Sequence, residues 1–145
     1  ALANENSNIV GIKWACSDLK QAEQIIKGTS DDFSLMSGED DLTYDMILLG
    51  GRGVISATAN IIPKQFSEMV KLLLNGEEEK ARELHEKYVV PASKAAFMET
   101  NPIPAKTAIN MMGLPGGELR LPLCRMSSEK EDRLRQALVE LGLLK

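Results

Sequence analysis

The first 76 residues alternate between short apolar runs and amphipathic segments, each pair closed by glycine. Ile9-Val10-Gly11-Ile12 is mostly β-branched and is carried past Lys13 by Trp14 and Ala15, which predicts a strand buried on both faces. Ser17 and Asp18 then offer a helix N-cap, Leu19, Ala22, Ile25 and Ile26 recur at helical spacing, and Gly28 is placed to end the helix. The same order repeats. Phe33 to Met36 reads as a strand, Ser37-Gly38 as a turn, and Leu42, Met46, Leu48 and Leu49 as a short helix stopped by Gly50-Gly51. Val54 to Ala59 reads as a third strand, and a helix from Pro63 carries Phe66, Met69, Val70, Leu73 and Leu74 as far as Asn75-Gly76.

Three consecutive strand-helix units predict parallel strands joined by right-handed crossovers, an α/β class with helices covering the sheet. Beyond Gly76 the strand pattern stops. Glu77 to Met98 reads as one long helix with an acidic start that suits the helix dipole, and Asn101-Pro102-Ile103-Pro104 ends it and opens another through Leu114. Ser128 with Glu131 reads as a capping box for a last helix bearing Leu134, Leu138 and Leu141. Residues 1–76 are thus expected to form the βα part and residues 77–145 a helical extension. Three parallel strands cannot close a barrel, and an open sheet this small leaves exposed edges. With Ala1 in place of an initiator Met, this suggests a piece of a longer chain.

Composition narrows the partners. Of the 145 residues, 43% are hydrophobic and 26% charged, as in ordinary globular domains, and a net charge of −4 with scattered basic residues gives no footprint for nucleic acid or an anionic membrane. No apolar run reaches the length of a membrane span, and the N-terminal residues lack the features of a signal peptide, so a cytoplasmic protein is expected. Cys16 and Cys124 lack metal-site or redox-motif spacing and read as small core residues.

Lys13 stands out in the first strand, because an ammonium group among Ile9, Val10, Ile12, Trp14 and Ala15 is costly unless paired, neutral or covalently used. In parallel barrels the C-terminal strand ends carry the active site, and a lysine withdrawn from water there is a candidate amine nucleophile for a carbonyl substrate. On spacing alone, a strand-end lysine snorkelling to solvent is the favoured reading.

Gly11-Ile12-Lys13, Leu35-Met36-Ser37-Gly38-Glu39-Asp40 and Gly51 to Asn60, followed by Phe97 to Lys106 and Leu119 to Leu123, resemble in order and spacing the second half of the dihydrodipicolinate synthase family. That resemblance, running from about Asn8 to Leu144, implies strands six to eight of a (β/α)8 TIM barrel with a C-terminal helical extension. It implies a pyruvate-dependent class I aldolase chemistry in which Lys13 forms a Schiff base with pyruvate. It also implies that Ile55 is the residue whose main chain contacts pyruvate and that Gly38 lies at the substrate pocket. It implies L-aspartate semialdehyde as the aldehyde, with a 2-keto-3-deoxy sugar acid or N-acetylneuraminate aldolase as the alternative. It further implies no cofactor, a homotetramer, and an N-terminal half of the barrel supplying the proton relay. A non-catalytic half-barrel is the reading from a different class. Independent of the resemblance, Ile55 also reads as strand core and Gly38 as a plain turn glycine. The family's residue after the lysine is acidic or small and polar, whereas Trp14 stands here, pointing away from Lys13 by strand alternation.

Other residues carry less chemistry. His85, the only histidine, sits among Glu83, Glu86 and Lys87 and reads as a solvated helix-face residue. Gly50-Gly51-Arg52-Gly53 leads into a strand, whereas a phosphate-binding loop leads into a helix.

Overall fold

The computed structural model describes residues 2–145. The chain is α/β and divides into two compact units, one comprising the residues up to Ser56 with Glu68–Glu83, the other Ala57–Ser67 with Leu84–Lys145.

The first unit holds a parallel sheet of β1 (Gly11–Trp14), β2 (Ser34–Ser37) and β3 (Gly53–Val54) in that order. Lys13 pairs with Met36, and Met36 with Gly53. The connections run through α2 (Leu19–Lys27) and α3 (Thr43–Leu48), after a single N-terminal turn, α1 (Leu2–Glu5), that the hydrophobic pattern did not predict. Asp18 begins α2 as expected, its carboxylate accepting from the backbone N–H groups of Lys20 at 3.0 Å and Gln21 at 3.3 Å. Ala22, Leu35 and Met46 form a fully buried cluster between helices and sheet, with Trp14, Leu19, Ile25 and Ile26 packed against it. Strand alternation thus sends Trp14 to the helix side, as expected, and Lys13 to the opposite face. Burying Leu35 there contributes about 1.5–3 kcal/mol. The turn from α3 into β3 needs glycine at Gly51, where a Cβ would lie 2.7 Å from the Met46 carbonyl oxygen. A second tie holds α3 to α5 (Glu78–Leu84): the Tyr44 hydroxyl donates to Glu78 Oε1 at 3.1 Å, Arg82 pairs with the same oxygen at 2.6 Å, and its guanidinium lies over the Tyr44 ring.

Several expectations need correction. The first strand is not buried on both faces. It is the edge of the sheet, regular only over Gly11–Trp14, and Ile9, Val10 and Ile12 are 37%, 68% and 40% exposed. Lys13 is exposed with them. Ser37 is the last residue of β2 and not the start of a turn. The third strand does not run to Ala59: β3 ends at Val54, and Thr58–Asn60 form a 3-10 turn in which the Asn60 N–H donates to Ala57 O. Cys16 is half-buried and Cys124 exposed, so neither is a core residue.

The second unit is helical. Its core gathers Ile61 and Ile62 just ahead of α4 (Pro63–Leu74), Phe66 from the first turn of that helix, then Val89, Ala92 and Ala96, Ile103 and Ala108, and Leu134 and Leu138. The long helix expected from Glu77 to Met98 is interrupted: α5 is followed by a π-helical turn, His85–Val89, before α6 (Val90–Ala96). Pro91 supplies the reason. It has no N–H to give the preceding turn, and its ring excludes a regular carbonyl four residues back, so the Val90 N–H reaches instead to His85 O. His85 itself is half-buried and not a solvated face residue. α7 (Ile103–Met111) stops three residues short of Leu114, because Gly113 turns the chain at φ 76°. α8 spans Ser128–Glu140, its N-cap is Ser127, and no side chain caps it, so the expected Ser128–Glu131 box does not form. Among the described residues, no helix is long and apolar enough to cross a membrane.

Candidate active site at the strand ends

The three parallel strands end together, and register decides which side chains meet there. Trp14, the last residue of β1, pairs with Ser37, the last of β2, and Ser37 pairs with Val54, the last of β3. Lys13 precedes Trp14, Gly38 follows Ser37 and Ile55 follows Val54, so the three residues singled out from sequence lie at the C-terminal ends of adjacent strands. Backbone hydrogen bonds join them: the Gly38 N–H donates to Trp14 O at 2.7 Å, and the Ile55 N–H donates to Ser37 O at 2.9 Å. Lys13 and Met36, being register partners, share the face away from Trp14. The Ile55 side chain is 52% exposed and does not fill a core, contrary to its reading as a strand-core residue.

Gly38 has a packing reason for lacking a side chain. A Cβ there would fall 2.7 Å from Ala15 Cβ, 2.9 Å from Ala15 Cα and 3.0 Å from Trp14 O. The close approach is to the chain leaving β1.

Beneath this row is a polar knot that the sequence reading did not single out. Ser37 and Thr43 are fully buried and Asp40 is 2% exposed. Ser37 Oγ donates to Glu39 O at 2.7 Å and accepts from Glu39 N at 3.2 Å, while Thr43 Oγ1 donates to the same carbonyl at 3.1 Å. The signal was present in Ser37-Gly38-Glu39 with Thr43 one helical turn on, since serine and threonine at such positions satisfy local backbone groups. The indole Nε1 of Trp14 is buried without a hydrogen-bond partner, a cost that comes with the departure already noted at that position.

The opposite ends of the strands carry structural contacts, with Arg52 donating to Asp31 O just ahead of β3 and β2. Asp32, in the same loop, has its carboxyl lowered, first by the hydrogen bond from Ser30. The helical unit has a separate cavity of about 680 Å³ between α7, the following loop and α8. Its Lys106 amine is engaged by Glu118 O, so the strand ends remain the better candidate for an amine nucleophile.

The model of the dihydrodipicolinate synthetase family matches residues 1–141. The chain is 53% identical over 143 residues to the 4-hydroxy-tetrahydrodipicolinate synthase of Methanocaldococcus jannaschii, covering 99% of this chain and 48% of that protein. The corresponding enzyme of Methanococcus maripaludis is 49% identical over 144 residues, with 99% and 49% covered. The crystal structure of dihydrodipicolinate synthase from Aquifex aeolicus superposes with a TM-score of 0.93 at 41% identity, covering 98% of this chain and 48% of that one. The chain therefore spans about half the length of the curated relatives it matches. On sequence and on fold alike, the chain belongs to the dihydrodipicolinate synthetase family.

Proposed function

We propose that this chain carries the Schiff-base half of a 4-hydroxy-tetrahydrodipicolinate synthase. The observation that supports the reading best is the convergence of Lys13, the Ser37–Gly38 peptide and Ile55 at the C-terminal ends of adjacent parallel strands, where barrel enzymes hold their chemistry. In this reading β1 to β3 are strands six to eight of a TIM barrel, residues 1–76 are its last three βα units, and residues 77–145 are the helical extension. An N-terminal half of the barrel covers Lys13 and supplies the proton relay. Leu114 and Leu121, 53% and 91% exposed, offer the extension apolar surface for subunit contacts in a cytoplasmic homotetramer.

The neutral amine of Lys13 attacks the ketone carbon of pyruvate, and the resulting carbinolamine loses water to give an imine. Loss of a methyl proton moves electrons into the imine, giving an enamine whose terminal carbon attacks the aldehyde carbon of L-aspartate semialdehyde. The aldehyde oxygen takes up a proton as the carbon–carbon bond forms. Ring closure by the aldehyde's own amine displaces Lys13 and yields 4-hydroxy-tetrahydrodipicolinate. The backbone carbonyl of Ile55 lies against pyruvate and fixes its plane while these steps run.

The experiment is reductive trapping on the complete polypeptide that contains these residues. Borohydride with pyruvate is expected to leave one stable adduct, mapped to Lys13, and Lys13→Arg should abolish both adduct and turnover, since arginine offers no neutral amine. An adduct on Lys64 or Lys106, or turnover surviving Lys13→Arg, overturns the assignment. Turnover with a sugar aldehyde in preference to L-aspartate semialdehyde would keep the lysine and change the substrate.

A further inference from the structure

Adjacent strands in a parallel sheet are tied by evenly spaced bonds, and any one peptide group can serve both neighbours. The Ser37–Gly38 peptide does so at the candidate site. Its carbonyl oxygen accepts from Ile55 N–H at 2.9 Å and its N–H donates to Trp14 O at 2.7 Å, so one planar unit sets both the residue beside Lys13 and the residue proposed to hold pyruvate. The tilt of that plane sets the separation of amine and pyruvate-binding carbonyl, and backbone bonds alone leave it free to rock at a strand terminus followed by glycine. The Ser37 side chain removes that freedom. Its hydroxyl closes on both the N–H and the carbonyl of Glu39, and Thr43 Oγ1 holds the same carbonyl from the first turn of α3. Both hydroxyls are fully buried, so water cannot replace either bond.

We propose that Ser37, supported by Thr43, is a positioning residue that fixes the Ser37–Gly38 peptide and through it the spacing of Lys13 and Ile55. The inference rests on the Schiff-base reading for its functional meaning but not for its structural content, and two readouts on the complete polypeptide separate them. The first is amide hydrogen exchange, which should rise at Gly38 and Ile55 in Ser37→Ala and less so in the isosteric Thr43→Val. The second is the rate of borohydride-trapped adduct formation at saturating pyruvate. Misplacement of the reacting atoms should slow it on the order of tenfold in Ser37→Ala and a few-fold in Thr43→Val. Ser37→Thr, which restores the hydroxyl, should recover it. Tyr44→Phe, which breaks a side-chain hydrogen bond elsewhere in the same unit, should trap at the unsubstituted rate. Should Ser37→Ala fail to fold, Thr43→Val carries both readouts. Unchanged exchange at Gly38 and Ile55, or adduct formation slowed equally by Tyr44→Phe, overturns the positioning role. Raised exchange in a protein that never forms an adduct leaves the tether standing and overturns the Schiff-base reading instead.

Discussion

A single missing methyl group decides how β1 and β2 leave the sheet. Gly38→Ala puts a Cβ against Ala15 Cα and Cβ, and neither is the far end of a flexible side chain, so backbone must move. We expect a loss of about 1–3 kcal/mol, read as a lower denaturation midpoint. A midpoint unchanged from the parent protein would mean that the chain after Trp14 yields freely. Nothing local in Ser37-Gly38-Glu39 announces this: sequence shows a glycine at a strand end, and only the approach of Ala15 says why. Tyr44 is another residue whose setting is tertiary. Burial first, and then the hydrogen bond its hydroxyl donates to Glu78, raise its phenol above the ordinary value of 10.0, with Arg82 opposing. A group that holds its proton more tightly when folded adds stability that is fully present below the unfolded value and lost as pH rises through the folded one. Denaturation midpoints should therefore fall as pH rises above about 10, and fall less steeply in Tyr44→Phe. That variant should also lose about 0.5–1.5 kcal/mol at neutral pH from the broken bond. Equal alkaline slopes in the two proteins would discharge Tyr44 of the role.

Helix starts with similar sequences differ in what holds them. Asp18 accepts from two N–H groups of α2, whereas neither Ser127 nor Ser128 makes a side-chain bond at the start of α8. Asp18→Ala should then cost about 1 kcal/mol. Ser127→Ala and Ser128→Ala should stay within about 0.5 kcal/mol, measured by denaturation of each variant. A Ser128→Ala loss as large as that of Asp18→Ala would restore the capping box. The order of strands and helices was legible because apolar runs and glycine stops are local signals, and α2, α3 and α4 lie where periodicity puts them. Boundaries were less so. Val54 to Ala59 looks strand-forming by composition, yet β2 offers no residue beyond Ser37 for it to pair with, and the chain turns into a 3-10 bend instead. The π turn before Pro91 could have been anticipated from that proline alone, since an interior proline must break or reroute the preceding turn. Convergence of Lys13, Gly38 and Ile55 followed from parallel order, but the buried Ser37 and Thr43 hydroxyls depend on which face α3 presents.

At the scale of the whole molecule the sheet is unfinished. β1 offers its outer edge without a partner strand among the described residues, flanked by exposed Ile9, Val10 and Ile12, while β3 is too short an edge to template much pairing. The chain also covers about half the length of the relatives it matches. An exposed, β-branched edge seeks another strand, whether from the remainder of a barrel or from a second copy. We therefore expect the 145-residue chain on its own to self-associate, with light scattering giving a mass above that of one chain. Val10→Lys with Ile12→Lys should suppress this association, because inward-facing charges on an edge oppose strand addition. In the complete polypeptide the same two substitutions should instead destabilise, since there they would lie between paired strands and bury ammonium groups. The pairing of opposite outcomes is the test: a chain that remains a stable monomer by itself, or a complete polypeptide indifferent to lysine at Val10 and Ile12, would show that the β1 edge is not where a further strand joins, as the proposed barrel requires.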